Sequence, residues 1–309
     1  MKKIFIDGKA GTTGLRIEER LSARRDVEII SLPENLRKDA EARREALNSA
    51  DVVFLCLPDD AAREAVSMIE NRTTTVIDTS TAHRTNPEFA YGFPELGAEF
   101  AEKIRNSTRI AVPGCHACGF IALVHPLIKA GIIDPNISLT VHSITGYSGG
   151  GKKMIAEYED ESVPALLKAP RQYGIAQSHK HIPEMVKISG LNKAPIFCPI
   201  VSNFYSGMEV TVPLFKENLK YGGIEDIAQI YANAYNTPIV KFNGAADEGG
   251  FLSSARYSKL DSMSVELYGS AERMLLVARY DNLGKGASGA AVECLNMKLG
   301  CELTEGLEI

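Results

Sequence analysis

The 309-residue sequence predicts an α/β protein: a doubly wound parallel sheet of Rossmann type, then an α+β domain with a mixed sheet. Three observations carry this. Up to about residue 112, short apolar strand patterns alternate with helical ones, the order that builds a parallel sheet. A glycine-rich turn joins the first strand to the first helix. Beyond Cys115 the strand patterns alternate apolar with polar residues, as antiparallel strands with one covered face do.

The elements follow in order. Lys3–Asp7 reads as a strand, Thr13 to about Ala23 as a helix, and Val27–Leu32 as the second strand. Ala40–Ser49 is a helical stretch with charges on most faces. Asp51–Leu57 is nearly continuous in apolar residues, the mark of a parallel strand covered on both sides. A helix is expected from Pro58 through Glu70, with strands at Thr75–Asp78 and Arg109–Val112. Cys115–Ala130 reads as a helix stopped by Gly131. The second domain should hold strands at Ile137–Ser143, Met208–Leu214, Met263–Leu267 and Met274–Tyr280, and a helix at Ile224–Tyr235. Gly286–Leu299, rich in small residues, reads as a closely packed final helix.

Composition narrows the function classes. Apolar residues make up 45% and charged residues 24%, a globular balance, and the net charge of −5 offers no basic face to nucleic acid. Six cysteines in so long a chain do not make a disulfide framework and fit a reducing, cytoplasmic setting. Asp7 interrupts the first apolar run before a secretory signal can form, and no stretch approaches the ~18 apolar residues of a membrane helix. Neither a membrane nor a nucleic acid is therefore expected as a partner.

The turn Gly8-Lys9-Ala10-Gly11-Thr12-Thr13-Gly14 has the pattern G-x-x-G-x-x-G. Glycines there let the backbone approach a pyrophosphate, which the N–H groups and dipole of the following helix attract. The same pattern also serves as a plain turn. An NAD site usually ends the second strand with an acid for the ribose 2′-hydroxyl. This strand ends Ile30-Ser31-Leu32, with Arg37 and Lys38 shortly after, which suits the 2′-phosphate of NADP, although the two cations also suit a solvated loop.

Val112-Pro113-Gly114-Cys115 sets a cysteine at a strand-to-helix turn. A helix N-terminus stabilises a thiolate and so activates a nucleophile; the position equally suits a small buried residue at a tight turn. Cys115 and Cys118 form a C-x-x-C, open to reading as a redox pair, but no second such pair exists to complete a structural zinc site. No metal is expected.

Eight segments in order resemble the N-acetyl-gamma-glutamyl-phosphate reductase family, in the shorter of its two types: Gly8–Gly14, Phe54–Asp60, Asp78–Arg84, Tyr91–Leu96, Val112–Cys118, Gly146–Gly151, Ser178–Glu184 and Asn282–Gly289. The wider group includes aspartate-semialdehyde and glyceraldehyde-3-phosphate dehydrogenases. The resemblance implies an NADP-binding domain at 1–116, a catalytic and oligomerisation domain at 117–284, and a C-terminal helix at 285–309 returning to the first. It also implies a small-molecule acyl-phosphate substrate and a homodimer or homotetramer. The expected reaction is NADPH-dependent reduction of N-acetyl-gamma-glutamyl phosphate through a cysteine thioester, in arginine biosynthesis.

With that resemblance each site residue receives an expected role. Cys115 is the nucleophile. His181, ahead of His179, is the base, and Glu184 orients an imidazole; on an extended chain the two histidines would share one face. Arg84 is the cation for the substrate phosphate. Tyr147, Ser148 and Gly149 lie in a flexible turn that offers N–H donors to the substrate. Leu57, Pro58 and Ser80 meet the nicotinamide end of the cofactor, and Asn282 and Gly286 hold its carboxamide. Competing readings are a reductase of aspartyl phosphate or an aminoadipyl analogue, a non-catalytic NADP-binding module, and a C-x-x-C oxidoreductase.

Overall fold

A computed structural model describes all residues, Met1–Ile309, and the chain divides into two compact units. Unit 1 comprises Met1–Pro94, Ala98–Pro113 and Ala287–Leu307; unit 2 comprises Glu95–Gly97, Gly114–Gly286 and Glu308–Ile309. The long central segment of unit 2 begins at Gly114, so Cys115 belongs to unit 2.

Unit 1 runs β1 (Lys2–Asp7), α1 (Thr12–Ser22), β2 (Val27–Ile30), α2 (Ala40–Ser49), β3 (Val52–Leu55), α3 (Asp59–Met68), β4 (Thr75–Asp78), β5 (Ala90–Tyr91), α4 (Ala98–Asn106) and β6 (Arg109–Ala111). The strands form one six-stranded sheet in the order β2-β1-β3-β4-β6-β5, with every pair parallel. Strand alternation sends Ile4, Ile6, Val52 and Phe54 to one core and Phe5, Val53 and Leu55 to the other. Each such residue, fully buried, contributes roughly 1.5–3 kcal/mol. The predicted second strand stops two residues early, at Ile30, because Pro33 lacks an N–H for a ladder and a 3-10 turn begins at Glu34. Ser31 therefore lies past the strand end.

Unit 2 contains α5 (Cys115–Lys129), β7 (Thr140–Gly146), α6 (Gly151–Glu159), β8 (Arg171–Gln172), α7 (Ile182–Ser189), β9 (Ile196–Ser202), β10 (Met208–Phe215), α8 (Ile224–Ala234), β11 (Val240–Phe242), β12 (Met263–Gly269) and β13 (Arg273–Tyr280). Its seven-stranded sheet is mixed, in the order β11-β12-β13-β10-β7-β9-β8. The full-length ladder of β10 with β13 is antiparallel, while β7 pairs β9 in parallel. The sequence reading lacked β9, where Pro199 interrupts an otherwise apolar run. Pro126 sits inside α5 and removes the N–H that Ala122 would have bonded. The hydroxyl of Tyr235, the residue after α8, takes that place, donating to the Ala122 carbonyl at 2.6 Å, so a helix with an internal proline remains a sound platform for its first residue.

The last helix is α9 (Gly289–Leu299), whose Ala290, Ala291, Cys294 and Leu295 join the unit 1 core with Ile4 and Ile17. The expected single helix from Gly286 is instead a π-type turn at Gly284–Ser288 followed by α9. No helix is long and apolar enough to cross a membrane.

Candidate active site

In unit 1 the glycine turn leaves β1 with Gly8 at φ +85°, and a Cβ there would collide with the Cys56 carbonyl oxygen. Only glycine serves at that position. The Gly11 N–H bonds the Gly8 carbonyl at 2.9 Å, and Gly11 caps α1 without a side chain. Thr12 and Thr13 open the helix, Gly14 is buried in its first turn, and no acid lies there. The Thr12 Oγ1 is buried and has no hydrogen-bond partner. A helix start with bare N–H groups, a positive dipole end and an unmatched hydroxyl is the donor set a pyrophosphate completes.

Beside it a cavity of about 500 Å³ is lined by Gly8, Ser31, Arg37, Lys38, Arg43 and Leu57, among others. The structure thus gathers Ser31 with both expected cations and adds Arg43, which the sequence reading had left as one charge among many on α2. Arg43 pairs with the buried Asp7 carboxylate at 2.9 Å, which neutralises the one acid at the floor of the cavity; Glu34 lines its rim. Pro58 caps α3. Ser80 is held by Asp78, through its hydroxyl at 2.8 Å and its N–H at 2.9 Å, and Asp78 also meets His83 Nδ1 at 2.6 Å.

Arg84 differs from expectation. It is 9% exposed, and its guanidinium donates to the carbonyls of Val112 and Thr79 at 2.9 Å each. Those bonds make it a brace across two strand ends, in place of an open cation waiting for phosphate.

In unit 2 Cys115 is the first residue of α5, half-buried, with Gly114 as the cap. Glu184 is 2% exposed, and its Oε1 accepts from the Gly114 N–H at 2.8 Å. The structure therefore sets Glu184 on the turn that carries the thiol, whereas the expected contact was with an imidazole. Cys118, one turn on, is fully buried with its Sγ 3.6 Å from the Lys285 carbonyl. No disulfide links the cysteines.

His179 and His181 come together with ring centroids 4.8 Å apart, and His116 lies 5.8 and 5.6 Å from them. The expected extended geometry is not what joins them: His181 is in the helical region, at φ −85° and ψ −13°, capping α7. Its N–H donates to His179 Nδ1 at 3.2 Å. The His179 proton therefore sits on Nε2. Burial first, and Lys180 second, lower the His179 pKa and favour that neutral form. The sequence reading gave no role to Tyr173 or Ser143, which flank His116, since a lone tyrosine and a strand serine carry no local signal.

The segment 147–151 is a 3-10 turn leading into α6, not a flexible loop. The N–H groups of Tyr147 and Ser148 bond the carbonyls of Phe204 and Tyr205 at 2.9 and 3.0 Å, so they are committed within the unit. The Tyr147 ring stacks on Tyr158 at 4.8 Å, and a Cβ at Gly149 would lie 3.3 Å from the Asn282 amide nitrogen. That amide, 2% exposed, donates to Ser148 Oγ at 3.0 Å and accepts from the Gly207 N–H at 2.9 Å. Asn282 is thereby a strut between turns.

Gly286 packs on the thiol residue itself: a Cβ there would lie 3.1 Å from Cys115 Cβ and 3.0 Å from the Asp281 carbonyl. Gly286→Ala is expected to displace the thiol and lower kcat about tenfold or more. Steady-state kinetics check this; an unaltered kcat would show that the thiol tolerates the methyl group.

Comparison with known proteins follows the same division. Residues 12–104 match the family described as semialdehyde dehydrogenase, NAD binding domain, and residues 115–282 match semialdehyde dehydrogenase, dimerisation domain. The chain is 44% identical to an N-acetyl-gamma-glutamyl-phosphate reductase of Sinorhizobium medicae, over 96% of this chain and 98% of that one. It is 42% identical to N-acetyl-gamma-glutamyl-phosphate reductase 2 of Pseudomonas putida, over 98% of each. Among solved structures, aspartate semialdehyde dehydrogenase II of Vibrio cholerae superposes with a TM-score of 0.72 at 16% identity, covering 97% of this chain and 98% of that one. The Candida albicans aspartate semialdehyde dehydrogenase with NADP gives 0.67 at 15% identity, covering 97% and 99%. At those identities the solved structures share the fold.

Proposed function

The chain belongs to the N-acetyl-gamma-glutamyl-phosphate reductase family, and from that premise we propose how its own residues carry the reaction. The protein reduces N-acetyl-gamma-glutamyl phosphate with NADPH to N-acetylglutamate semialdehyde and inorganic phosphate, a step of arginine biosynthesis. The observation that carries the mechanism is Cys115 at the N-terminus of α5, in the same unit as His116, His179, His181 and Glu184.

The helix dipole and the first-turn N–H groups stabilise negative charge on the Cys115 sulfur. The thiolate attacks the γ-carbonyl carbon, and the tetrahedral intermediate expels phosphate to leave a thioester on Cys115. NADPH, when bound, supplies the hydride that reduces the thioester carbon. The resulting oxyanion collapses to aldehyde, and Cys115 leaves again as thiolate, which suits a group that both attacks and departs well. His181 moves the proton that the departing phosphate takes up. His179 suits this less, because its Nδ1 already accepts from the His181 backbone and its Nε2 carries the proton. Glu184 holds the Gly114 turn in place.

The donor set of the glycine turn fits the cofactor's pyrophosphate, with the Thr12 hydroxyl as an added donor. Ser31, Arg37 and Lys38 fit its 2′-phosphate. Ser31→Asp is expected to reduce the ratio of kcat/KM for NADP over NAD by about tenfold or more, because a carboxylate repels the 2′-phosphate. Equal kcat/KM for both cofactors in the parent protein would overturn this assignment. The matched dimerisation domain supports a homodimer or homotetramer.

The decisive experiment is steady-state assay in reverse, with N-acetylglutamate semialdehyde, phosphate and NADP. Phosphate-dependent NADP reduction is expected. No reduction with that aldehyde, but reduction with aspartate semialdehyde, would move the substrate to the aspartyl analogue.

A further inference from the structure

Helix α5 carries a glycine inside it, one turn after the thiol residue. Glycine disfavours a helix interior, so Gly119 calls for a reason. The reason is a close neighbour. A Cβ at Gly119 would lie 2.6 Å from the Tyr280 hydroxyl oxygen, 2.8 Å from the Tyr280 Cε1 and 2.7 Å from the Val210 Cγ2. Tyr280 is the last residue of β13, and Val210 lies on the neighbouring β10. The absent side chain lets a tyrosine at the end of a strand reach the helix backbone.

There the Tyr280 hydroxyl bonds twice. It donates to the Cys115 carbonyl at 2.5 Å and accepts from the Gly119 N–H at 3.0 Å. These belong to residues i and i+4, the pair that an α-helix joins across one turn. The phenol of Tyr235 also meets α5, but it replaces the N–H that Pro126 lacks. Gly119 has its N–H, so Tyr280 repairs no such gap. It ties both ends of the thiol's own turn to the sheet. Tyr280 is fully buried, and burial holds its pKa well above the usual range, so the hydroxyl keeps its proton and stays a donor.

Cys115 is held on other sides too. Glu184 accepts from the preceding Gly114 N–H at 2.8 Å, and Gly286 packs against the Cys115 Cβ. A cysteine side chain turns about one bond, so a fixed peptide confines the sulfur to a few staggered positions.

We infer that Tyr280 is a positioning residue for the nucleophile: its hydroxyl clamps the Cys115 carbonyl and the Gly119 N–H together and so aims the thiol. Gly119 is the residue that makes room for the clamp. This deepens the proposed function and rests on Cys115 being its nucleophile.

The test is Tyr280→Phe in the full chain. It is assayed with N-acetylglutamate semialdehyde, phosphate and NADP, well below the melting temperature, so that the molecules are folded. Phenylalanine keeps the ring and its packing and removes only the hydroxyl. kcat is expected to fall about tenfold or more, because the Cys115 peptide loses its tie and the thiol its aim. KM for the aldehyde is expected to stay within about twofold, since the hydroxyl is spent on backbone groups. A purely structural role would lower the melting temperature and leave kcat at the parent's value, and that result overturns the proposal. So does a rise in KM with kcat unchanged.

A second variant reaches the same bond from the helix. Val210→Ala clears one neighbour of Gly119 and is expected to keep the parent's kcat. Adding Gly119→Ala to it drives a methyl group against the Tyr280 hydroxyl and is expected to lower kcat as Tyr280→Phe does. An unaltered kcat in the double variant overturns the clamp, and should Tyr280→Phe not fold, the double variant decides alone. Failure of the underlying reading looks different: the parent protein, with Cys115 fully alkylated by iodoacetamide and the peptide mass confirming it, would still turn over.

Discussion

Cys115→Ser is expected to lose about 10³-fold or more in turnover while binding NADPH as the parent does. A free thiol is already a few per cent ionised at neutral pH, and the start of α5 raises that fraction. A serine hydroxyl at the same place stays protonated, and its ester would be a poorer acceptor of hydride than a thioester. The cofactor donor set, from Gly8 to Thr13 and Ser31 to Arg43, belongs to unit 1 and does not include the thiol. Cys118→Ser is the control. Cys118 is fully buried against the Lys285 carbonyl, so a hydroxyl can replace its thiol as donor, and most activity should survive. NADPH oxidation with the acyl phosphate and a fluorescence titration of NADPH measure the two effects. Equal inactivation by both serines would replace the thioester with a redox pair.

His181→Asn should lower kcat by about 10²–10⁴-fold, the usual contribution of general acid–base catalysis, with little change in cofactor affinity. Asparagine keeps size and some hydrogen bonding but moves no proton. The backbone N–H that bonds His179 remains, so the turn before α7 should persist. His179→Asn should cost less, because the amide oxygen can take over the acceptor role of Nδ1. Glu184→Gln should fall between: one oxygen still accepts from Gly114, while the negative charge is gone. A large loss at His179 with a mild one at His181 would reverse the assignment, and kcat over pH for all three variants reads the difference.

The parts of the fold legible in the sequence are those whose signal is local. The glycine turn between a strand and a helix, the apolar run of β3 and the alternation in β10, β12 and β13 each follow from backbone geometry within a few residues. Burial on both faces makes a strand continuously apolar, and burial on one makes it alternate. β9 escaped because Pro199 argues against a strand, and only its place between β7 and β8 supplies the partners. The helices α4 and α6 escaped because short, charge-rich stretches owe their stability to packing rather than to propensity.

The sequence by itself determined the chemistry available: a thiol at a helix start, a histidine pair, a phosphate turn, and a second strand without a terminal acid. These are residue types at fixed spacings, and the family resemblance rests on them. Tertiary structure alone decided which groups meet. It set Glu184 on the Gly114 amide, spent Arg84 on two carbonyls and Asn282 on two turns, and brought His116 between Ser143 and Tyr173. The reason is physical. A buried polar group must find partners, and the partners here lie from 5 to 134 residues away, a pairing no local pattern encodes.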